Sequence, residues 1–353
     1  MHTQLAMKRV LLAVLLLSTL LAACQPGASQ ATAAVLGTPT PTPFLPGGPI
    51  SNEPLPTQPS EDMPSLVDLG FGEFPPPSEA SDIDIPNQMG KLPQPEGQIN
   101  ILILGSDQRP TDGGYRTDVI ELLTINIQDK TVSLTSFPRD LYVYHPGWRI
   151  TRINAGMQRG DFEMMADTFA YNFGVKPDYF VLVNFSGFVQ VIDSLGGVDV
   201  QVGRALWDER EGPGDFSVPS GNVHMDGETA LWYVRSRGTT SDYDRGRRHQ
   251  EMITAIFFRL LSLNALVRAP ELYSQYQQMV RTNITLADAL ALLPLATAIR
   301  DSQNINRYSI GPDDVTPWRN SVGSAVLVPN QERVRRIMLQ ALSSPESSAA
   351  GGP

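Results

Sequence analysis

The pattern of apolar and polar positions predicts an alternation of strands and helices from residue 99 onward. Short apolar runs rich in β-branched residues predict strands, and longer segments whose apolar residues return every three or four positions predict helices. The predicted strands cover residues 99–105, 119–127, 131–136, 178–185, 198–202 and, at an edge, 305–310. The predicted helices cover 161–173, 186–195, 227–234, 245–263, 283–300 and 330–342, with a long polar loop over 203–226. This alternation predicts an α/β fold with helices on both faces of one sheet.

The N-terminal region has a different pattern. Lys8 and Arg9 precede a mostly apolar run, residues 10–23, which is too short for an ordinary membrane-spanning helix and typical of a signal peptide. The small residues before Cys24, the sole cysteine of the chain, resemble a bacterial lipobox. We therefore expect Cys24 to be lipidated and to anchor the protein to a membrane through its acyl chains. An ordinary signal peptide with a chance cysteine is the alternative.

The segment that follows Cys24 is rich in proline and acidic residues. Residues 25–98 hold 16 of the 29 prolines, nine acidic residues and one basic residue. This composition cannot build a hydrophobic core and predicts a disordered tether. The sequence therefore divides into a signal peptide (1–23), a tether (24–98), a catalytic domain (99–345, with its motifs in 99–263 and a continuation over 264–345) and a tail (346–353).

Charge and composition exclude several classes of function. The formal charge is −10 and the isoelectric point is about 4.9, and no basic stripe or run indicates a nucleic-acid partner. One cysteine and four scattered histidines do not form a zinc-binding motif. The remaining candidates for chemistry are arginine and aspartate residues.

The densest group of arginines lies at the start of the predicted helix 245–263. This helix has an apolar stripe that consists of Met252, Ile253, Ile256, Phe257 and Leu260. At about 100° per residue, Arg245 and His249 fall on the stripe, Arg248 flanks it and Arg247 faces away. A guanidinium on a buried face requires an anionic partner, and phosphate oxygens suit its planar geometry. The alternative is a solvated helix start with local Arg–Asp pairs.

Three further groups combine arginine with aspartate at strand ends, at residues 105–109, 115–118 and 136–140. Each alone is compatible with a turn that contains an ion pair. Together with the helix start they predict a site of several guanidiniums and a few carboxylates. Arginines would hold phosphate groups and carboxylates would hold Mg²⁺, which is the equipment for phosphoryl transfer.

Six motifs in this order resemble the LytR–CpsA–Psr family. They are G-x-D at Gly105–Asp107, R-T-D at Arg116–Asp118, S-F-P-R-D at Ser136–Asp140, D-x-L-G-G-V-x-V at Asp193–Val200, D-G-x-x-A-L-x-Y-x-R-x-R at Asp226–Arg237 and D-Y-x-R-x-x-R at Asp242–Arg248. The resemblance implies a three-layer α–β–α sandwich around a mixed central sheet. It also implies an enzyme that transfers a glycopolymer from a polyprenyl-pyrophosphate lipid to a peptidoglycan hydroxyl, forms a phosphodiester and releases polyprenyl phosphate.

The resemblance carries roles over to individual residues. Asp107 and Asp118 resemble the family's acids for Mg²⁺ (or Mn²⁺), and either is the candidate base. The residues that resemble its pyrophosphate-binding arginines are Arg116, Arg139, Arg235, Arg237, Arg245 and Arg248. The expected catalytic residues are Asp107, Asp118, Arg116 and Arg139. His249 stands where the family usually has glutamine, so we expect imidazole to make that polar contact.

Two alternatives remain open. A lipid-pyrophosphate phosphatase would use the same site with water as the acceptor. A non-catalytic envelope lipoprotein would bind the glycopolymer without turnover. In each case we expect a protein held by its lipid anchor at the extracytoplasmic face of a bacterial membrane. A lipid anchor would differ from the N-terminal membrane-spanning helix that is usual in the family.

Overall fold

The computed structural model describes residues 70–108, 115–209, 215–237, 242–262, 273–274, 276–298 and 305–343. Cys24, the signal peptide, residues 24–69 of the predicted tether, Arg109 and the tail lie outside these ranges. Within them, none of the helices combines the length and the apolar character that crossing a bilayer requires.

A mixed sheet of six strands forms the centre of the fold. Its order is β11-β6-β1-β2-β3-β12, where β1 is Ile99–Ser106, β2 Thr117–Asn126, β3 Thr131–Ser136, β6 Tyr179–Asn184, β11 Val280–Thr282 and β12 Ile305–Ser309. The second and third strands pair antiparallel, and the predicted edge strand near residue 305 is confirmed. β1 is parallel to β6 and β3 is parallel to β12, so these four strands end at the same edge of the sheet.

Helices cover both faces of the sheet and give three layers. Helices α1 (Gly156–Phe173) and α6 (Gln331–Leu342) bury Phe169 and Met338 against Leu102 and Leu122. On the opposite face, α4 (Asp242–Ser262) packs Ile253 and Phe257 against β3. A sheet with apolar residues on both faces must be covered on both sides. These helices provide that cover, so the predicted α–β–α sandwich is confirmed.

A second group of buried residues lies beside the central sandwich. Helices α2 (Phe185–Ser194) and α3 (Gly227–Arg235) share a core with α4 and with β7 (Val198–Val202). The segment predicted as one long loop instead contains the strands β8 (Leu206–Glu209), β9 (Asp215–Val218) and β10 (Gly221–Met225). These strands have only four or five residues, which is too short for the alternation of apolar and polar positions to stand out.

Two small hairpins complete the described fold. They are formed by β4 (Tyr142–Tyr144) with β5 (Ile150–Arg152), and by β13 (Val315–Arg319) with β14 (Ala325–Pro329). A helix, α5 (Leu286–Ala298), follows β11 and is preceded by Thr285, whose hydroxyl accepts a hydrogen bond from the amide of Asp288 at 3.2 Å. The main-chain N–H of Leu327 donates to the carbonyl of Asp140 at 3.0 Å, so the second hairpin joins the segment that follows β3.

The predicted domain boundary at residue 99 is too late. Within residues 70–98, Met89 and Leu92 are 7% and 1% exposed and belong to the core between α1, α6 and the sheet. Their main-chain N–H groups donate to the carbonyls of Tyr171 and Gly174, each at 2.9 Å. The composition misled the prediction because a few apolar residues between prolines are enough to dock a segment that has no helix or strand of its own.

Candidate active site

A cleft opens at the edge of the sheet where β2 begins and β3 and β12 end. Three of the four predicted groups meet there, those of residues 115–118, 136–140 and the start of α4. The cleft is lined by the polar residues Asp118, Ser136, Arg139, Asp140, Tyr243, Arg245, His249 and Ser309, together with Ile120, Phe137, Pro138, Gly246, Ile310 and Leu327. This position beyond strand ends is typical of ligand sites in open α/β sheets.

Asp118 and Arg139 form an ion pair on one wall of the cleft. Nη1 of Arg139 donates to Oδ2 of Asp118 at 2.8 Å, and the two side chains are 17% and 24% exposed. Asp140 lies 3.5 Å from Nε of Arg139 and 3.1 Å from Nε of Arg152. Carboxylates thus hold the Arg139 guanidinium from two sides while part of it remains open to the cleft.

The second carboxylate oxygen of Asp118 is the best candidate contact for a cation. Its Oδ1 is buried and accepts no hydrogen bond from the residues that the structure describes. Among those residues, no three His, Cys, Asp or Glu side chains converge on one point. Mg²⁺ is commonly held by one or two carboxylates together with substrate phosphates and water, so the donor set fits this ion.

Asp107 lies next to Arg116 in the loop after β1. The main-chain N–H of Arg116 donates to Oδ1 of Asp107 at 2.6 Å, and Nη2 of Arg116 lies 3.8 Å from Oδ2. The Arg116 side chain is 60% exposed, and neither residue is among the described residues that line the cleft. The loop therefore presents a half-exposed carboxylate and a largely exposed guanidinium beside the strand ends.

Helix α4 also lines the cleft, through residues on the face that its apolar stripe predicted to be buried. Arg245 and His249 are 6% and 8% exposed, and both line the cleft. Burial, together with the nearby Arg245 and Arg248, lowers the pKa of His249 to about 3, so the imidazole is neutral at neutral pH. Its Nε2 lies 3.3 Å from the carbonyl of Val234, which accepts the ring N–H.

Arg248 does not reach the cleft. Its side chain is fully buried, Nη1 donates to the carbonyl of Tyr233, and Nη2 donates to that of Ser236 at 2.7 Å. Asp244 is 3.4 Å from its Nε. Arg248 thus caps carbonyl groups at the C-terminal end of α3, where main-chain acceptors lack helical partners. The angular position of Arg248 on the predicted helix, at the flank of the apolar stripe, left the direction of its side chain undecided. In the structure the guanidinium contacts the end of α3.

Arg247 lies on the side of α4 that was predicted to face away from the apolar stripe. That side is not bare, because Arg247 bridges Asp244 at 2.8 Å and Glu251. Oε2 of Glu251 in turn accepts a hydrogen bond from the hydroxyl of Tyr233 at 2.5 Å. The position therefore contributes to the packing of α3 on α4, and Arg247 is only 32% exposed.

Arg235 and Arg237 lie on the surface at the end of α3 and are not among the described cleft residues. The guanidinium of Arg235 stacks over the ring of Phe185, with 4.2 Å between its Cζ and the ring centroid. The main-chain N–H of Arg237 donates to Asp208 at 2.9 Å. Neither arginine therefore lines the cleft together with Arg139 and Arg245 in the described part of the structure.

Glu121 is a buried residue of the site that the sequence analysis missed. Its side chain is fully buried within β2, where Ser136 Oγ donates to Oε1 at 2.6 Å and Gln250 Nε2 lies 3.4 Å from Oε2. Burial raises the pKa of Glu121 to about 8, so the carboxyl is mostly protonated at neutral pH. The signal was available, since a single acid interrupts the apolar run V-I-E-L-L of β2.

Comparison with known proteins identifies the family of this site. The LytR–CpsA–Psr family pattern matches residues 77–341. The polyisoprenyl-teichoic acid–peptidoglycan teichoic acid transferase TagT of Bacillus subtilis is 30% identical over 214 residues, which are 59% of this chain and 66% of TagT. Regulatory protein MsrR of Staphylococcus aureus is 31% identical over 192 residues, 54% of this chain and 57% of MsrR.

The fold supports the same assignment. The crystal structure of Bacillus subtilis TagV superposes with a TM-score of 0.58 and 27% sequence identity, and the match covers 70% of this chain and 98% of TagV. This chain spans just under two thirds of the length of TagT and just over half of MsrR. The family pattern begins at residue 77, within the segment that packs on the core. The chain therefore belongs to the LytR–CpsA–Psr family.

Proposed function

We propose that this protein transfers a glycopolymer from a polyprenyl-pyrophosphate carrier to a hydroxyl group of peptidoglycan. The cleft carries the proposal, since Arg139, Arg245 and Asp118 all line it and Asp118 forms an ion pair with Arg139. Two guanidiniums can each hold the oxygens of one phosphoryl group. The printed name of TagT, a transferase of polyisoprenyl-linked teichoic acid to peptidoglycan, supports this class of substrate and acceptor.

The proposed step is an in-line displacement at phosphorus. The acceptor oxygen attacks the phosphorus that bears the sugar, the bond from that phosphorus to the bridging oxygen breaks, and polyprenyl phosphate leaves. Arg139 and Arg245 balance the negative charge that builds on the phosphoryl oxygens. The proton of the acceptor hydroxyl passes to a carboxylate, Asp107 or Asp118, and then to solvent. The products are one phosphodiester and one polyprenyl phosphate, so the bonds and charges balance.

Mg²⁺ (or Mn²⁺) is the cofactor that we propose. Asp118 would hold it through the buried Oδ1, and Asp107 is the second candidate ligand. When bound, the ion would add positive charge beside the phosphoryl oxygens and lower the barrier to attack. Arg116, on the loop of Asp107, would neutralise the pyrophosphate from the open side of the site.

We propose further that the protein works at the extracytoplasmic face of a bacterial membrane, held by lipid on Cys24. Both substrates lie on that side, and a lipid carrier reaches the cleft more often when enzyme and carrier share one membrane. The acidic, Pro-rich residues between Cys24 and the docked segment would set the distance of the domain from the membrane.

A transfer assay tests the function. Purified protein is incubated with a polyprenyl-pyrophosphate oligosaccharide, peptidoglycan fragments and Mg²⁺, and the products are identified by mass spectrometry. We expect a phosphodiester-linked conjugate and polyprenyl phosphate, with loss of both in Arg139→Ala and unchanged yields in the surface control Arg319→Ala. Release of the oligosaccharide phosphate without conjugate would support the phosphatase alternative. Tight binding without any product would support a glycopolymer-binding protein.

A further inference from the structure

A single buried carboxyl group connects the two elements that carry the arginines of the cleft. Glu121 lies opposite Ile103 of β1 and Ser136 of β3 in the sheet. Its Oε1 accepts a hydrogen bond from Ser136 at 2.6 Å, and Nδ1 of His249 lies 3.8 Å from the same oxygen. Ser136 is three residues before Arg139, and His249 is one helical turn after Arg245.

The junction around this carboxyl is tightly packed. A Cβ at Gly246 would lie 2.6 Å from Oγ of Ser136, so the first turn of α4 abuts the end of β3. Gln250 closes the other side, since its Nε2 donates to the carbonyl of Tyr308 at 2.8 Å and lies 3.3 Å from that of Leu134. Little free space is left for β3 and α4 to shift independently.

We propose that Glu121 is a positioning residue of the cleft, which fixes the end of β3 against the start of α4 and thereby sets the separation of Arg139 and Arg245. The proposal deepens the proposed function and rests on it. Glu121 does not reach the substrate, because its side chain is fully buried. It acts through Ser136 and His249, which both line the cleft.

The charge state of Glu121 should affect the binding of an anion in the cleft. The charged groups around the junction are Arg245 and Arg248 of α4, which lower the pKa of His249, and the Asp118–Arg139 pair at the ends of β2 and β3. The register neighbours of Glu121, Ile103 and Ser136, carry no charge. Burial raises the pKa of Glu121 to about 8. Above that pH a buried negative charge would repel a bound anion and favour rearrangement of the junction.

Binding of a glycosylated polyprenyl pyrophosphate between about pH 6 and about pH 9.5 tests the proposal. The probe is esterified at both ends, so its own charge stays constant over this range. We expect wild-type affinity to fall about tenfold between about pH 7 and about pH 9, the limit for one group that must stay protonated. Glu121→Gln should bind within about twofold of wild type at neutral pH and lose the pH dependence. Glu163→Gln, an exposed acid paired with Lys176, should keep the wild-type profile.

Two results would overturn the proposal. One is a Glu121→Gln variant that keeps the full wild-type pH dependence. The other is an infrared spectrum without the protonated-carboxyl band of Glu121 at neutral pH, measured as the difference between wild type and Glu121→Gln; this reading needs no ligand. The failure of the proposed function looks different, because a protein that binds the probe with the expected pH profile but transfers nothing would contradict only the transferase activity.

Discussion

The replacement of Leu92 by alanine measures whether residues 70–98 belong to the folded domain. Leu92 is 1% exposed and packs beside Gly174, the residue that ends α1 in a left-handed conformation. The substitution keeps the main-chain bond from Leu92 to Gly174 and removes only side-chain atoms from the core. The measured loss therefore reports the packing of this segment.

The expected cost follows from the local geometry. Leu→Ala changes in well-packed cores cost about 2–5 kcal/mol, and the cost is higher where the walls cannot collapse. A Cβ on Gly174 would lie 2.6 Å from Cγ of Leu92, so the helix end and the side chain are in tight contact. We therefore expect a cost well above the lower end of that range, about 3–4 kcal/mol. This is a large share of the roughly 5–15 kcal/mol by which domains are stable.

Urea unfolding of the wild type, Leu92→Ala and the control Leu290→Ala provides the measurement. Leu290 is 42% exposed, so its truncation should change the free energy of unfolding by less than about 0.5 kcal/mol. An unchanged slope of the unfolding curve would show that the folded state keeps its size. If Leu92→Ala changes the free energy of unfolding as little as the control does, the segment does not contribute to the stability of the domain. The boundary at residue 99 that composition predicted would then be correct.

Four further predictions address the site and the anchor. Arg139→Ala should lower transfer by about 10²- to 10³-fold and Arg139→Lys should restore part of it, since lysine keeps the charge without the planar fork; equal rates in all three would remove Arg139 from the site. Arg248→Ala should cost about 2–4 kcal/mol of stability because two carbonyl groups and Asp244 lose a hydrogen-bond donor. Arg247→Ala should cost less than about 1 kcal/mol. A larger loss of thermal stability in Arg247→Ala than in Arg248→Ala would contradict the role of Arg248 in capping α3. Burial raises the pKa of Glu121 from 4.5 to about 8, so the stability that this residue contributes is present below about pH 4.5 and is lost as the pH rises to 8. Glu121→Gln should lack this loss. The pH-dependent loss in the free energy of unfolding that distinguishes the wild type from this variant should be at most about 4–5 kcal/mol at alkaline pH. A fatty-acid probe fed to cells should label the wild type and not Cys24→Ala, and labelling of both would exclude lipidation at Cys24.

Long periodic segments were predictable, and features that depend on distant partners were not. The phase of α4 follows from its apolar stripe, which predicts Arg245 and His249 on the buried face of the helix, and both line the cleft. The direction of Arg248 depends on carbonyl groups at the end of another helix, which no local pattern reveals. Glu121 was visible as an acid in an apolar strand, but its partners Ser136 and Gln250 lie 15 and 129 residues away.

The docked N-terminal segment has the same explanation. Met89 and Leu92 lie in a stretch without periodicity, and their burial depends on α1 and α6, which come much later in the chain. The short strands β8–β10 and the β13–β14 hairpin were missed because runs of four or five residues near Gly and Pro carry little pattern. The motifs resembling the family could place Asp118 and Arg139 in one site, but they could not separate Arg235 and Arg237 from the cleft.

The segment at residues 70–98 also determines when the domain can close. Asp82 bonds Ser321 at 2.6 Å, and Gln98 donates to the carbonyl of Leu342 at 2.7 Å, so the beginning of the domain is joined to its end across 239 and 244 positions. Joining two residues that are separated by about 240 positions in the sequence costs about 5 kcal/mol of chain entropy. Contacts offset this cost only after the last helix has formed. A chain cut before residue 321 would keep every arginine motif and lack both of these contacts. Folding of this domain is therefore a late and non-local event that waits for the C-terminus.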